Sequence, residues 1–344
     1  MYRLKNTLPG LLLCLLIAIP SWFLGKAYPL LGGPIIAILV GIVLTSVFPH
    51  LLTHSSSKNA IQLATGVKYT SKKILQYSII LLGFEMNLYH IIEVGRQALI
   101  LMLFTIGSAF ITAYLLGKVL KLPGDTTTLI GVGTCICGGS AIAATAPVIE
   151  ASDEDVAHAI STIFLFNIAA VFLFPFLGHL LGMSDSSFGM WVGTAVNDTS
   201  SVVATGTAWS EASGNNTALQ LATIVKLTRT LMIVPITLFL AIYTARKKGR
   251  EGTGQFSFTK VFPWFIIFFV VAALINTFTN LSPHVATMLV TLGKFMIVMA
   301  MSAIGLSTNL KSLLANGIKP ILLGLGCWAV IATVSLIVQS CMGL

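Results

Sequence analysis

The sequence contains few charged residues. Asp, Glu, Lys and Arg together make up 9% of its 344 residues, whereas an average soluble domain carries about 25%. Hydrophobic residues make up 56%, and no polar block is long enough to form a separate soluble domain. We therefore expect an all-α polytopic membrane protein, a single domain over residues 1–344 that is embedded in the lipid bilayer.

The chain also lacks the motifs of common enzyme and metal-binding classes. It has no nucleotide-binding glycine loop and no HExxH pair, so ATP-driven pumping and zinc proteolysis are not expected. The CxC at Cys135 and Cys137 has no second pair of zinc ligands. We expect no cofactor, no metal site and no enzymatic activity. An intramembrane hydrolase with Ser140 as nucleophile is a weak alternative, because His158 and His179 are the only nearby bases and both lie towards segment ends.

Long apolar runs predict the architecture. About 20 apolar residues are needed to cross the hydrocarbon core, and unpaired backbone groups are not tolerated there, so these runs should be helices. The runs lie at 8–25, 32–49, 74–92, 97–117, 127–149, 157–182, 188–209, 217–243, 261–279, 285–306 and 320–341. The sequence thus has eleven hydrophobic segments.

Basic residues are distributed unevenly between the loops. With the N-terminus in the cytoplasm, fifteen Lys and Arg residues fall on the cytoplasmic side and only Lys26 and Arg96 on the other. The positive-inside rule therefore predicts a multi-pass protein of the bacterial inner membrane with a cytoplasmic N-terminus. Because the positive charge follows topology, no nucleic-acid partner is expected.

The sequence contains two internal echoes. GVGTCICGGSAIAAT (131–145) matches WVGTAVNDTSSVVAT (191–205) at an offset of 60, and residues 72–95 match 294–317 at an offset of 222. The second pair lies in spans that run in opposite directions, as in the inverted repeats of secondary transporters. The first pair would be inverted only if both segments were re-entrant. Two architectures stay open, eleven full spans or nine spans plus two re-entrant segments, and chance similarity of apolar helices is the alternative explanation.

The echo at offset 60 holds the candidate site. Glycines 131, 133, 138 and 139 and Pro147 predict an interrupted helix in segment five. An interrupted helix at membrane depth should border a cavity, and half-helix ends suit an anion. Close helix packing through small residues is the alternative. The predicted substrate-binding residues are Thr134, Cys137, Gly138, Gly139, Ser140, Asn197, Asp198, Thr199, Ser200, Ser201, Lys226 and Arg229.

Charged residues inside the apolar segments refine this hypothesis. Lys226 and Arg229 are spaced i, i+3 on one helix face, at about the same predicted depth as Asp198. We expect them to line an aqueous, mildly cationic chamber opposite the VNDTSS stretch, with Asp198 as the coupling-ion residue. A buried ion pair that only joins helices is the structural alternative. Lys294 and Glu85 also lie within segments.

Four stretches resemble the sulfate exporter family of bacterial inner-membrane proteins, and the similarity extends over essentially the whole chain. They are ICGGSAIAATAPVI (136–149), VGTAVNDTSSVVATG (192–206), IVKLTRTLMIVP (224–235) and MAMSAIGLSTNL (299–310). The resemblance implies a relative of the sodium–proton antiporter and bile-acid transporter group, built on inverted repeats with broken helices. Members often have histidine at the position of Asn197 and a basic residue at that of Glu85, so this chain departs from the pattern at both.

The leading functional hypothesis is secondary transport of a small anion, sulfate or an organic sulfonate, by alternating access. Coupling to H+ or Na+ and assembly as a homodimer are further expectations. A cation–proton antiporter that uses Asp198 is the closest rival, and a channel is a third class. We expect the repeats and the mid-membrane site to favour a carrier.

Overall fold

The computed structural model describes residues 2–28, 32–48, 58–247, 263–279, 281–308 and 317–343. All regular structure among them is helical. The α-helices are α1 (Tyr2–Ala27), α2 (Gly32–Val47), α3 (Lys58–Tyr69), α4 (Leu75–Leu82), α5 (Leu88–Val119), α6 (Gly124–Cys135), α7 (Gly139–Ile149), α8 (Asp153–Leu180), α9 (Asp185–Ala195), α10 (Thr199–Ser213), α11 (Thr217–Leu231), α12 (Ile233–Lys247), α13 (Phe265–Phe278), α14 (Pro283–Leu306) and α15 (Ile318–Met342).

Some sequence predictions concern residues that the structure does not describe. The outer ends of segments 32–49 and 261–279, the basic positions Lys248, Arg250, Lys260 and Lys311, and the echo residues Asn309 and Leu310 all lie outside the described residues. The count of basic residues on each side of the membrane therefore stays a prediction.

Apolar helices dominate the described residues, as the composition predicted. Six helical stretches, with α11 and α12 taken together as one, are long and apolar enough to cross a membrane, at Thr7–Ala27, Leu88–Val119, Glu154–Leu180, Thr217–Thr244, Pro283–Leu306 and Ile318–Met342. Shorter apolar helices lie at Gly32–Val47, Gly139–Ile149 and Phe265–Phe278. The described part of the chain is therefore all-helical, as expected for a polytopic membrane protein.

The boundaries of the third and fourth predicted segments were wrong. Helical structure begins at Lys58, sixteen residues before the predicted start, and runs through a π-turn at Thr70–Ile74 and α4 to a 3-10 turn at Gly83–Glu85. The chain breaks at Met86, which is extended, and the Asn87 side chain then accepts a hydrogen bond from Tyr89 N at 2.8 Å. Helix α5 continues through 93–96, where a loop was predicted, because Glu93 and Arg96 point away from the buried face.

The segment predicted at 217–243 contains two helices. Helix α11 ends at Leu231 and α12 begins at Ile233. Pro235 lacks a backbone N–H, so it cannot donate to the carbonyl four residues earlier, at Leu231. The interruption leaves α11 as a separate fifteen-residue helix that carries Lys226 and Arg229.

The chain divides into two compact units. The first comprises Met1–Ile91, Val203–Gln220 and Trp264–Leu310, and the second comprises Ile92–Val202, Leu221–Pro263 and Lys311–Leu344. The expectation of one transmembrane domain without a soluble module stays a prediction.

Helices of the first unit pack through glycines. A Cβ on Gly83 would lie 2.5 Å from Phe269 O, and one on Gly305 would lie 2.3 Å from Ile38 O. These two glycines are matched in the echo at offset 222, and each allows a close approach to a neighbouring backbone. The matched lysines differ, because Lys72 is exposed and Lys294 is half-buried.

The second unit has its own apolar core, formed by α5, α6, α7, α8 and α15. Its most buried members include Leu129, Ile142, Ile163 and Leu323, each 0% exposed. Its member Ile163 lies beside Gly138, at the first interruption described next.

Candidate functional site

Helices α6 and α7 form a re-entrant hairpin. Thr126, in the first turn of α6, donates a hydrogen bond from Oγ1 to the carboxylate of Asp155, which follows α7. The Ile142 Cδ1 atom of α7 lies 2.8 Å from the position of a Cβ on Gly133 of α6. Nine residues of straight helix would separate these positions by about 13 Å. The chain therefore enters along α6 and returns along α7 to the end at which it started.

Helix α8 then carries the chain to the opposite end of the second unit. It spans Asp153–Leu180 without interruption, and α9 begins at Asp185. Helices α6 and α9 therefore start at opposite ends of α8. Their C-termini are bound by the same two side chains, Lys226 and Arg229, as the following contacts establish.

Both cations are completely buried, each 0% exposed. The Lys226 Nζ atom donates to Ile136 O at 2.8 Å, to Val196 O at 3.0 Å and to Asn197 O. The sequence predicted that this side chain would line an aqueous chamber. Its ammonium instead binds main-chain oxygens at the C-terminal ends of both α6 and α9.

Arg229 repeats this arrangement one turn further along α11. Its Nε atom donates to Cys135 O at 2.6 Å, and its two terminal nitrogens donate to Thr134 O and Thr194 O. Arg229 was also predicted to face water, and the structure buries it among carbonyls. A planar guanidinium can satisfy several carbonyls at once, which explains why arginine suits this position.

The carbonyls are equivalent in the echo at offset 60. Arg229 binds Thr134 and Thr194, and Lys226 binds Ile136 and Val196. Helix α6 ends at Cys135 and α9 at Ala195, while α7 begins at Gly139 and α10 at Thr199. Both interruptions thus fall at the same register of the echo.

This arrangement has a clear physical cause. The last four carbonyls of a helix lack intrahelical partners, and the C-terminal end of its dipole carries partial negative charge. Two such ends meet here away from water, where unpaired carbonyls would each cost about 1–3 kcal/mol. The two side-chain cations supply both the hydrogen bonds and the opposite charge.

The second interruption is also held by Asn167, from the middle of α8. Its Oδ1 atom accepts from the backbone N–H of Asp198 at 3.1 Å. The Asp198 carboxylate caps α10 by accepting from Ser200 N at 2.9 Å and from the Ser200 hydroxyl. Asp198 is half-buried, whereas the two cations are fully buried.

The two interruptions approach each other at Gly138. This residue has φ +70°, and a Cβ there would lie 3.2 Å from Asp198 Cβ and 3.4 Å from Ile163 Cγ2. Glycine is therefore required both for the backbone conformation and for the close approach. Asp198 lies beside the start of α7 as well as the start of α10.

Two buried amides at this meeting point have unmet hydrogen-bonding capacity. Asn197 is 1% exposed, and within the described residues neither its Oδ1 nor its Nδ2 has a partner. Asn167 is 3% exposed, and its Nδ2 likewise has none among those residues. Buried polar groups are nearly always paired, so exceptions of this kind point to a polar ligand or to water.

The remaining predicted residues surround the interruptions in different ways. Ser140 donates from Oγ to Cys137 O at 3.1 Å, and Gly139 is the first residue of α7. Thr134 donates its hydroxyl to Ile130 O, so its side chain serves its own helix. Thr199, at 9% exposed, and Ser201, at 7%, lie in the first turn of α10. The structure thus brings all twelve predicted positions to one region of the second unit.

Sequence reasoning did not find Asn167. The available signal was a lone amide in the apolar run IFLFNIAAVFLF (163–174). Such a residue is costly in an apolar helix unless it has a partner.

Within the described residues, no group of three or more His, Cys, Asp or Glu side chains could hold a metal ion.

Comparison with known proteins places the chain in a family. Residues 9–324 match the family described as Conserved hypothetical protein 698. The chain belongs to this family. A UPF0324 membrane protein of Streptococcus pyogenes serotype M18 is 52% identical over 341 residues, 98% of either chain. One from Fusobacterium nucleatum subsp. nucleatum is 46% identical over 356 residues, 99% of this chain and 100% of its own.

A third relative, from Streptococcus agalactiae serotype V, is 49% identical over 342 residues, 98% of each chain. No solved structure matches the protein. The relatives are all named as membrane proteins, in agreement with the apolar helices. Because those names state no substrate, the resemblance to sulfate exporters stays a prediction.

Proposed function

We propose that this family member is a secondary transporter of a small oxyanion, with sulfate or an organic sulfonate as the substrate class. The substrate would bind where the two interruptions meet. The observation that carries the proposal is the buried amide of Asn197, which has no partner in the part of the chain that the structure describes, near two buried cations. Lys226 and Arg229 oppose the single carboxylate of Asp198, so the region has one net positive charge when all three groups are ionised.

In the recognition we propose, the two cations act on the substrate only indirectly. The two cations already bind carbonyls, so they would set a positive potential without touching the substrate. Direct contacts would come from the Asn197 amide, from the hydroxyls of Thr199 and Ser201, and from backbone N–H groups in the first turn of α7. Helix N-termini favour anions because their N–H groups and dipole point the same way.

A cation–proton antiporter is the second candidate, because Asp198 is a half-buried carboxylate at the interruption. Main-chain carbonyls at broken helices can coordinate Na+ in transporters. Six carbonyls at this meeting point are instead occupied by Lys226 and Arg229. This occupancy favours the anion over a metal cation, and we assign Asp198 to ion coupling.

We also propose that the echo at offset 60 is an inverted repeat, with the first half-helices α6 and α9 entering from opposite faces of the membrane. Alternating access would then open the meeting point first to one face and then to the other. A carrier of this kind performs no bond-breaking chemistry.

Ligand-induced stabilisation tests the proposal. The detergent-purified protein is heated with sodium sulfate, sodium methanesulfonate, or sodium and potassium chloride at matched ionic strength. A ligand that binds the folded state raises the unfolding temperature by mass action. We expect stabilisation by sulfate or methanesulfonate. Stabilisation by Na+ over K+, with no anion effect, would instead support the antiporter.

Transport in proteoliposomes completes the test. Wild-type protein should exchange labelled sulfate for unlabelled sulfate across the membrane, a counterflow that a channel does not produce. Asp198→Asn retains the helix cap, because asparagine is as good a cap as aspartate, but removes the charge. The variant should therefore fold, but it should no longer couple sulfate transport to H+ or Na+. Asp125→Asn, an exposed carboxylate in the first turn of α6, is the matched control and should transport normally.

A further inference from the structure

The meeting point of the two interruptions contains one acceptor that an oxyanion cannot use. The Oδ2 atom of Asp198 accepts from Ser200 N at 2.9 Å and from the Ser200 hydroxyl. From the residues that the structure describes, no hydrogen bond or salt bridge reaches the other oxygen, Oδ1. A Cβ on Gly138 would lie 3.3 Å from Oδ1, so this oxygen faces the start of α7, where we place the substrate. An ionised carboxylate oxygen only accepts, so Oδ1 is a binding position for a hydrogen-bond donor.

The two buried cations do not supply that donor. The Lys226 ammonium has three protons, and it donates to three main-chain oxygens. Arg229 directs its Nε atom and both terminal nitrogens to other main-chain carbonyls. Within the described residues, neither cation forms a salt bridge with Asp198. The carboxylate is therefore left to a ligand.

Asn167 places a donor of fixed direction beside this acceptor. Its Oδ1 atom accepts from the backbone N–H of Asp198 at 3.1 Å. An amide nitrogen cannot accept that bond, so the orientation of the Asn167 amide is determined. Its Nδ2 atom is buried and has no acceptor in the described part of the chain. An NH2 group only donates, so its partner has to be an acceptor, such as an oxygen of an oxyanion.

We propose that the substrate is an organic sulfonate that also carries a hydrogen-bond donor, and that Asp198 Oδ1 binds this donor. This inference rests on the proposed anion site and selects between the two substrates named for it. The sulfonate oxygens would accept from the amides of Asn167 and Asn197, while a hydroxyl or ammonium group of the same molecule would donate to Asp198.

Sulfate matches this arrangement less well. Near neutral pH it is fully ionised and has acceptors only, so its charge would face a carboxylate oxygen that no donor neutralises. A site with a polar group of this kind discriminates against a ligand that leaves the group unpaired. Because we also assign Asp198 to ion coupling, an ammonium group on the substrate would take the place of the coupling ion.

Titration calorimetry with three sulfonates of equal chain length tests the inference on the wild-type protein. Ethanesulfonate has no donor, 2-hydroxyethanesulfonate has a neutral donor and 2-aminoethanesulfonate has a charged donor. We expect the two donor-bearing sulfonates to bind about tenfold more tightly than ethanesulfonate, the gain of a hydrogen bond to a charged group. Equal affinities for all three would overturn the inference and leave the proposed anion transport intact. An absence of binding by all three would overturn both.

Asp198→Asn identifies the group that makes the difference. Asparagine keeps the helix cap, and its NH2 group then replaces the acceptor that faces Gly138. The preference for the donor-bearing sulfonates should be lost, and ethanesulfonate should bind at least as tightly as it does to wild type. Asp125→Asn, at an exposed position, is the matched control and should leave the three affinities unchanged. A preference that persists in Asp198→Asn would overturn the assignment of Oδ1.

Asn167→Asp tests the amide donor in the same assay. A carboxylate oxygen at this position can still accept from Asp198 N, so the fold should be retained, but the NH2 donor is replaced by an acceptor. All three sulfonates should then bind about tenfold more weakly. Undiminished binding would overturn the role of Asn167. The comparison of the three sulfonates on wild-type protein needs no variant, so it decides the inference even if neither variant folds.

Discussion

Lys226 and Arg229 lie one turn apart on α11, and each of them binds a main-chain carbonyl from both interrupted segments. Arg229 reaches Thr134 and Thr194, and Lys226 reaches Ile136 and Val196. Neither side chain is exposed. The pair therefore holds the C-termini of α6 and α9 together.

Removing Arg229 should destabilise the protein. Arg229→Met leaves three buried carbonyls without donors, at a cost of about 3 kcal/mol or more in free energy of unfolding. Thermal unfolding in detergent should show a clearly lower midpoint. Lys319→Met, at an exposed position, is the control and should change little. An Arg229→Met protein as stable as wild type would show that these carbonyls do not depend on the guanidinium.

Asn197 should separate stability from binding. Because its side chain has no partner among the described residues, Asn197→Ala should cost less than about 1 kcal/mol in stability. The affinity of the Asn197→Ala variant for sulfate should fall about tenfold, which is a loss of about 1.4 kcal/mol in binding free energy. Titration calorimetry and thermal unfolding measure the two quantities.

Asn167→Ala provides the contrast to this result. It removes the acceptor of the Asp198 N–H, so the unfolding free energy should fall by about 1–3 kcal/mol. If Asn197→Ala instead lost stability and kept its sulfate affinity, the amide would have a packing role and no ligand-binding role.

Gly138 should not tolerate a side chain. Its φ of +70° is unfavourable for alanine, and the added Cβ would press on Asp198 Cβ at 3.2 Å. Gly138→Ala should therefore cost about 1–3 kcal/mol, measured as a lower unfolding midpoint. Gly107→Ala, inside α5 with nothing within 4 Å, should instead stabilise by about 0.5–1 kcal/mol. Equal effects at the two positions would argue against a strained backbone at Gly138.

The re-entrant hairpin predicts a labelling pattern. In a background without cysteine, Asp125→Cys and Ser152→Cys flank the hairpin and should react with an impermeant maleimide from the same face of the membrane. Ser184→Cys, beyond the far end of α8, should react only from the opposite face. The sequence places position 125 in the cytoplasm, and the hairpin then places position 152 on the same side. Labelling of these two positions from opposite faces would mean that 127–149 crosses completely.

Much of the fold could be predicted because apolar runs and glycine patterns are local signals. The predicted start of α5, at residue 97, came nine residues after the observed start at Leu88, because Glu93 and Arg96 look like loop residues although an exposed helix face accommodates them. The choice between a crossing and a re-entrant segment five depended on the contact of Thr126 with Asp155. No periodicity within 127–149 contains that information.

The sequence predicted that these twelve residues lie together, because polar groups in apolar runs stand out, but it did not predict how they are arranged. The role of Lys226 and Arg229 was not predicted. Both side chains bind backbone carbonyls, and since every residue has a backbone carbonyl, the sequence does not show which ones will be the partners. Asn167 was missed for a related reason, since it acts on the backbone of Asp198 and matches no motif.

The shared carbonyl acceptors of Arg229 have a consequence for how this chain can change over time. If one interruption shifted alone, its carbonyl would move away from the Arg229 guanidinium, which would still be bound to the carbonyl of the other interruption. Insertions or deletions next to either interruption should therefore be tolerated only when the counterpart sixty residues away changes with it. Natural variants of the two stretches should consequently vary as a pair.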